Sequence, residues 1–195
     1  MVVFDNLVFG NDTHVGHDRG PPRVRHRATE EVTVFQEREE LLDAYRSTLV
    51  TLPTVLRDVP EGVWREGGDA DGEWSIIEVT CHLRDAEERS FARVRHMCEE
   101  DRPRLEAYDP AELARSSGYR EQQLADALAA FIDTRVQHIA FLESIDVGDW
   151  DRAGVHDEVG EISVQQLTAH MVTHDSIHLA QISRRLESTP MEPRV

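Results

Sequence analysis

The sequence contains no lysine, so its 21 basic residues are all arginines. Its 38 acidic residues outnumber them and leave a formal net charge of −17. A chain with this charge cannot neutralise a row of phosphates, which argues against binding to nucleic acid and to an anionic membrane surface. The missing lysines also exclude Schiff-base chemistry, because that chemistry needs a lysine amine.

Long apolar runs and paired cysteines are missing as well. The sequence has no run of about 18 apolar residues that could span a membrane, and it has no signal-peptide pattern. Cys81 and Cys98 lack the C-x-x-C spacing, so we expect free thiols in a reducing compartment. The sequence therefore predicts a soluble, cytoplasmic protein, and 195 residues suffice for one domain with a full core.

The beginning of the chain differs in composition from the rest. Residues 1–34 contain three glycines and an adjacent pair of prolines, and they show no sustained helical period. We therefore predict a flexible N-terminal tail over 1–34, followed by one helical domain over 35–190. An alternative hypothesis places the natural start of the protein near Val32 or Val34.

Four later segments have apolar residues at helical spacing. Two of them begin with a capping box, in which Ser75 precedes Glu78 and Ser163 precedes Gln166. The connections between the segments differ greatly in length, which favours an all-α four-helix bundle with long crossover loops over a repeat solenoid. The predicted helices cover about 36–50, 76–98, 121–144 and 164–187. Pro53 either ends the first of them or kinks it, in which case Val55 and Leu56 continue it for another turn.

Three histidines recur every four residues in the last predicted helix, at His170, His174 and His178. This spacing places them on one side of the helix, each about one turn from the next. The apolar stripe that passes through Met171 continues onto His174 and His178, so these two should face the core. Two such imidazoles can bind one metal ion, and they can equally be buried histidines bonded to backbone or carboxylate groups.

A fourth histidine, His82, lies on the core-facing stripe of the second predicted helix. It follows its helix cap at the same distance as His170 follows the cap of the last helix. If the two helices are neighbours, His82 can approach His174 and His178. Three imidazole ligands would leave coordination positions open to water or substrate, which is typical of a catalytic metal site.

Other polar residues are candidates for supporting roles. His170 could be a general base or an outer contact of the site, or it could only line the rim. Asp175 and Asp85 are the nearest candidates to accept the second N–H of a metal-bound imidazole, with solvated helix faces as the alternative. Arg135 falls beside an apolar stripe, and we interpret it as a buried arginine paired with a carboxylate in preference to a substrate-binding group.

Three motifs carry a resemblance to a known family. They are E-W-S-x-x-E-V-x-x-H-L over 73–83, G-V-H-x-x-x-G over 154–160 and H-D-x-x-H-L-A-Q-I over 174–182. Through them the chain resembles the DinB/YfiT-like superfamily of metal-binding four-helix bundles, from about Leu41 to Leu186. One departure is Asp157, which stands where the family usually has proline.

The resemblance implies a metal site formed by His82, His174 and His178. It also implies a metal-dependent hydrolase or an S-transferase for low-molecular-weight thiols such as bacillithiol and mycothiol, often dimeric. We therefore expect a divalent ion, zinc or nickel, that activates water or a thiol for attack on a small electrophilic substrate. The alternative is a bundle that binds metal or ligand without turnover in a stress response.

Metal analysis of the purified protein tests the ligand assignment. We expect bound metal in the wild-type protein and much less in the His174→Ala and His178→Ala variants, because each loses one of three ligands. Elemental analysis by mass spectrometry measures the metal content per chain. Equal, near-zero metal in all three proteins would exclude a metalloprotein.

Overall fold

A computed structural model describes residues 25–67 and 74–188, with side chains described from Gln36 onward. Four long helices form a bundle in which α1 (Arg25–Leu56) and α3 (Ile76–Glu99) each pack against both α5 (Leu124–Ser144) and α6 (Val164–Ser188). The predicted all-α four-helix bundle is therefore confirmed. No helix of the described ranges is long and apolar enough to cross a membrane. The helices are α1 (Arg25–Leu56), α2 (Glu61–Trp64), α3 (Ile76–Glu99), α4 (Pro110–Ser116), α5 (Leu124–Ser144) and α6 (Val164–Ser188).

The first helix begins earlier in the chain than predicted, and its C-terminal end follows the longer of the two alternatives left open at Pro53. It begins at Arg25, so the backbone of 25–34 is helical where the sequence predicted a tail. This segment has no glycine or proline and is rich in arginine and glutamate, which favour helix even without an apolar stripe. The helix also continues through Pro53 to Leu56. Residues 1–24 of the predicted tail lie outside the described residues.

Both predicted capping boxes are present, and they set where α3 and α6 begin. The backbone N–H of Ser75 donates to the Glu78 carboxylate over 2.8 Å. The backbone N–H of Ser163 donates to Oε1 of Gln166 over 2.9 Å, and the N–H of Gln166 donates to Oγ of Ser163 over 3.2 Å. These contacts satisfy N–H groups that have no partner inside the helix.

A small three-stranded sheet lies in segments that the sequence predicted as loops. It consists of β1 (Arg104–Leu105), β2 (Ala153–His156) and β3 (Gly160–Ser163). Strand β2 pairs in parallel with β1 and antiparallel with β3. Asp157 accepts hydrogen bonds from Nε of Arg104 over 2.8 Å and from the backbone N–H of Ala107 over 3.3 Å. These bonds connect the β2–β3 turn to the residues around β1. Asp157 is also the residue that stands where the family motif usually has proline.

The core consists of two apolar clusters with a buried arginine between them. One cluster contains Phe131 and the other contains Tyr45. The guanidinium of Arg135 lies 4.1 Å from the ring centroid of Tyr45 and 4.9 Å from that of Phe131, and the side chain is fully buried. Two carboxylates pair with it, those of Glu87 and Asp175. The interpretation of Arg135 as a buried, carboxylate-paired arginine is therefore confirmed.

The sheet leads directly into α6, and Gly154 on β2 packs closely against Leu105 on β1. A Cβ atom at Gly154 would lie 2.7 Å from Cδ1 of Leu105. We expect Gly154→Ala to lower the free energy of unfolding by about 1–3 kcal/mol, because the buried side chain of Leu105 would have to move out of a packed position. Urea denaturation measures this change.

Gly148→Ala is the matched control, because a Cβ at Gly148 would meet nothing within 4 Å. We expect its free energy of unfolding to stay within about 0.5 kcal/mol of the wild-type value. Equal stability of the two variants would contradict the tight contact at Gly154.

Candidate metal centre

Three of the predicted site histidines meet inside the bundle. Helix α3 supplies His82, and the neighbouring helix α6 supplies His174 and His178. Nε2 of His82 lies 2.8 Å from Nε2 of His174. The ring centroid of His178 lies 4.7 Å from that of His82 and 4.5 Å from that of His174. Among the described residues, these three form the group of side chains arranged to hold a metal ion.

The separations of the three imidazoles fit a single ion. Nitrogens bound to one ion at about 2.0–2.1 Å lie roughly 3–4 Å apart. In the structure, one ligand atom from each histidine lies within 4.8 Å of the other two, and the shortest separation is 2.8 Å. Imidazole nitrogen is a ligand that zinc, nickel and copper accept readily. The donor set therefore suits a divalent transition-metal ion.

The surroundings of His82 keep its imidazole neutral. His82 and His174 are buried, whereas His178 is half-buried. Burial, followed by the nearby imidazoles of His174 and His178, lowers the pKa of His82 from its ordinary value to about 2. A neutral imidazole has a lone pair available, so His82 needs no deprotonation before it binds an ion near pH 7. The ring of Trp74 lies against His82, with 4.8 Å between the ring centroids.

Gln181 is a contact of the site that sequence reasoning missed. Its Oε1 lies 2.9 Å from Nδ1 of His178. Because an amide oxygen only accepts, this contact places the proton on Nδ1 and leaves the lone pair of His178 on Nε2, where it is available to an ion. The sequence could have indicated this contact, because residues three positions apart on a helix, such as His178 and Gln181, are neighbours.

Asp175 lies beside the cluster. Its Oδ1 is 4.0 Å from Nδ1 of His174, and its Oδ2 accepts a hydrogen bond from Arg135. Burial would raise the pKa of Asp175, but the neighbouring His174 and Arg135 outweigh burial and hold the pKa below its ordinary value. Asp175 is therefore an ionised carboxylate next to one of the three clustered histidines.

The remaining candidates are His170 and Asp85, and neither belongs to the three-histidine cluster. The ring centroid of His170 is 6.3 Å from that of His174, and His170 is half-buried. The carboxylate of Asp85 accepts hydrogen bonds from the Tyr119 hydroxyl over 2.5 Å and from Nε of Arg84 over 2.6 Å. The expectation that Asp85 orients a metal ligand is therefore not met, because its side chain is directed to Tyr119 and Arg84.

The fold and the site together define a four-helix bundle with a three-histidine cluster between two of its helices. The family model of the DinB superfamily matches residues 39–182, and the chain belongs to this superfamily. The resemblance seen in the motifs is thus confirmed.

The chain is also similar to curated proteins of two Geobacillus species. A "Putative metal-dependent hydrolase" of Geobacillus thermodenitrificans is 27% identical over 144 residues, which are 73% of this chain and 76% of the relative. A protein with the same description from Geobacillus kaustophilus is 28% identical over 142 residues, which are 68% of this chain and 76% of the relative.

A solved structure supports the fold. It is that of YfiT from Bacillus subtilis, described as "a probable metal-dependent hydrolase with an unusual four-helix bundle topology". It matches with a TM-score of 0.71 and 16% identity, and the match covers 89% of this chain and 95% of YfiT.

The contact between Gln181 and His178 predicts an effect on metal affinity. We expect Gln181→Leu to weaken zinc binding by about 10-fold or more, because outer contacts of this kind orient the ligand ring and increase its basicity. Competition with a chromophoric chelator measures the dissociation constant.

Gln165→Leu serves as the control, because it makes the same substitution in α6 at a residue that contacts Glu37 instead of a histidine. We expect it to bind zinc like the wild-type protein. Equal zinc affinities for the two variants would show that Gln181 does not orient His178.

Proposed function

We propose that the protein is a metal-dependent enzyme in which His82, His174 and His178 hold a divalent ion, zinc or nickel. The ion would activate water, or a low-molecular-weight thiol, for attack on a small electrophilic substrate. The observation that carries the proposal is the meeting of three imidazoles from two helices, with one ligand atom of each within 4.8 Å of the others. The descriptions of the relatives as metal-dependent hydrolases favour hydrolysis.

An ion bound by three histidines lowers the pKa of a bound water toward about 7, and it can equally bind a thiolate. The protein's own residues shape the site around this chemistry. His82 and His174 are buried, so the bundle interior shields the ion on that side. His178 is half-buried, which makes its side the approach for water, thiol and substrate.

Two further residues have proposed supporting roles. His170 is half-buried, one turn before His174 on α6, where its imidazole can accept a proton at the rim of the site. Asp175 holds a negative charge beside His174, which stabilises the positive charge of the bound ion. Neither residue belongs to the three-histidine cluster.

Removal and return of the ion test the proposal. We expect chelator treatment to abolish hydrolysis of a panel of esters, amides and lactones, and added zinc or nickel to restore it. The same panel, supplemented with electrophiles and with several thiols, measures S-transfer. Full activity after complete removal of metal would contradict the proposal.

His82→Ala provides the matched variant. We expect it to lose activity by at least about 100-fold, because one of three ligands is missing. His96→Ala is the control, since His96 lies on the same helix and pairs with Glu100 over 3.2 Å instead of joining the cluster. Equal loss of activity in the two variants would show that the effect of His82→Ala is not specific to the site.

A further inference from the structure

A buried network of charged side chains reaches the candidate metal centre from α5. Nη2 of Arg135 donates to Oε2 of Glu87 over 2.8 Å, and Nη1 donates to Oδ2 of Asp175 over 2.7 Å. All three side chains are at most 3% exposed. Nδ1 of His138 lies 2.9 Å from the other oxygen of Glu87. One guanidinium thus connects a carboxylate of α3 to a carboxylate of α6.

The network ends at two polar atoms that face each other. Oδ1 of Asp175 and Nδ1 of His174 are both buried, and neither makes a hydrogen bond within the described part of the chain. They lie 4.0 Å apart. A buried donor or acceptor without a partner is costly, so a small rotation that joins this pair is favourable. The two residues are adjacent in sequence, which keeps the atoms close.

The charges of the network favour the same contact. Two carboxylates face one guanidinium, and the oxygen of Asp175 that the guanidinium does not contact is the one directed toward His174. A metal-bound imidazole commonly donates its second N–H to a carboxylate, which fixes the ring and makes it a stronger ligand. A hydrogen bond to an ionised acceptor is also stronger than a neutral one.

Arginine is suited to this position in a way that lysine is not. The planar guanidinium donates to both carboxylates at once, whereas an ammonium group is a single point of charge. The aromatic rings of Tyr45 and Phe131 lie 4.1 and 4.9 Å from the guanidinium carbon, measured to the ring centroids. The group is therefore held in place by apolar contacts as well as by its ion pairs.

We propose that Arg135 is a positioning residue for the metal centre, although it touches none of the three ligands. Arg135 bridges the carboxylates of Asp175 and Glu87 and so fixes the position of Asp175. In that position, Oδ1 of Asp175 accepts a hydrogen bond from Nδ1–H of His174. The opposite nitrogen of His174, Nε2, is then directed toward Nε2 of His82. This inference rests on the proposed function, because it requires that the three histidines bind an ion.

A double-mutant cycle on zinc affinity tests whether Arg135 acts through Asp175. We expect Asp175→Asn to weaken zinc binding by about 10- to 100-fold. Arg135→Lys should weaken it in the wild-type background, but by less than about twofold more in the Asp175→Asn background. Chelator competition measures all four dissociation constants. Two effects that multiply independently would overturn the inference.

A control separates positioning from general loss of stability. Leu142 lies on α5 like Arg135 and is fully buried in the apolar cluster that contains Tyr45. Leu142→Ala should lower the midpoint of thermal unfolding, while the folded protein binds zinc with wild-type affinity. If it weakens zinc binding as much as Arg135→Lys does, the inference is overturned.

Nitrogen and proton NMR of the histidine rings gives a second readout. In the zinc-loaded wild-type protein we expect a downfield Nδ1 proton signal from His174, which Asp175→Asn removes and Arg135→Lys shifts. Should Arg135→Lys fail to fold, Glu87→Gln replaces it, because it keeps the arginine and weakens one of its two contacts. An unchanged His174 signal in the folded network variant would overturn the inference.

The two proposals fail in different ways. A wild-type protein that binds no zinc or nickel overturns the proposed function and this inference together. Zinc binding that depends on His82, His174 and His178 but is unaffected by Asp175→Asn and Arg135→Lys overturns only the inference.

Discussion

The bundle depends on the burial of one guanidinium between carboxylates from two other helices. Removing such charges from water costs several kcal/mol per ion, and only well-placed partners offset the cost. Arg135, Glu87 and Asp175 meet this condition with contacts of 2.7 and 2.8 Å. These ion pairs therefore restrict the relative positions of α3, α5 and α6. A shift of any of these helices along its axis would leave a buried charge without its partner.

The same restriction applies to the three histidines. Asp175 follows His174 in sequence, and Glu87 lies on the same helix as His82. The register of α3 against α6 that lets Arg135 pair with both carboxylates therefore also determines how close His82 and His174 lie. The capping boxes at Ser75 and Ser163 contribute by setting where these two helices begin. The polar network and the candidate metal centre are thus parts of one arrangement.

Much of this arrangement could be predicted from local patterns. The helical spacing of His174 and His178, and the caps of α3 and α6, are properties of short segments, so the sequence shows them directly. The start of α1 was missed because 25–34 carry helix-forming residues without an apolar stripe. The sheet was missed because its strands are only two to four residues long, and because β1 pairs with a strand about 50 residues further along the chain. Short pairings of this kind leave little periodic signal.

The sequence by itself determined which side of each helix faces the core, because side-chain direction repeats with the turn of the helix. Only the tertiary structure decided which buried groups meet. It paired Arg135 with Glu87 and Asp175, and it directed Asp85 to Tyr119. Contacts between helices depend on their mutual register and on side-chain packing, and no spacing within one helix encodes either of these.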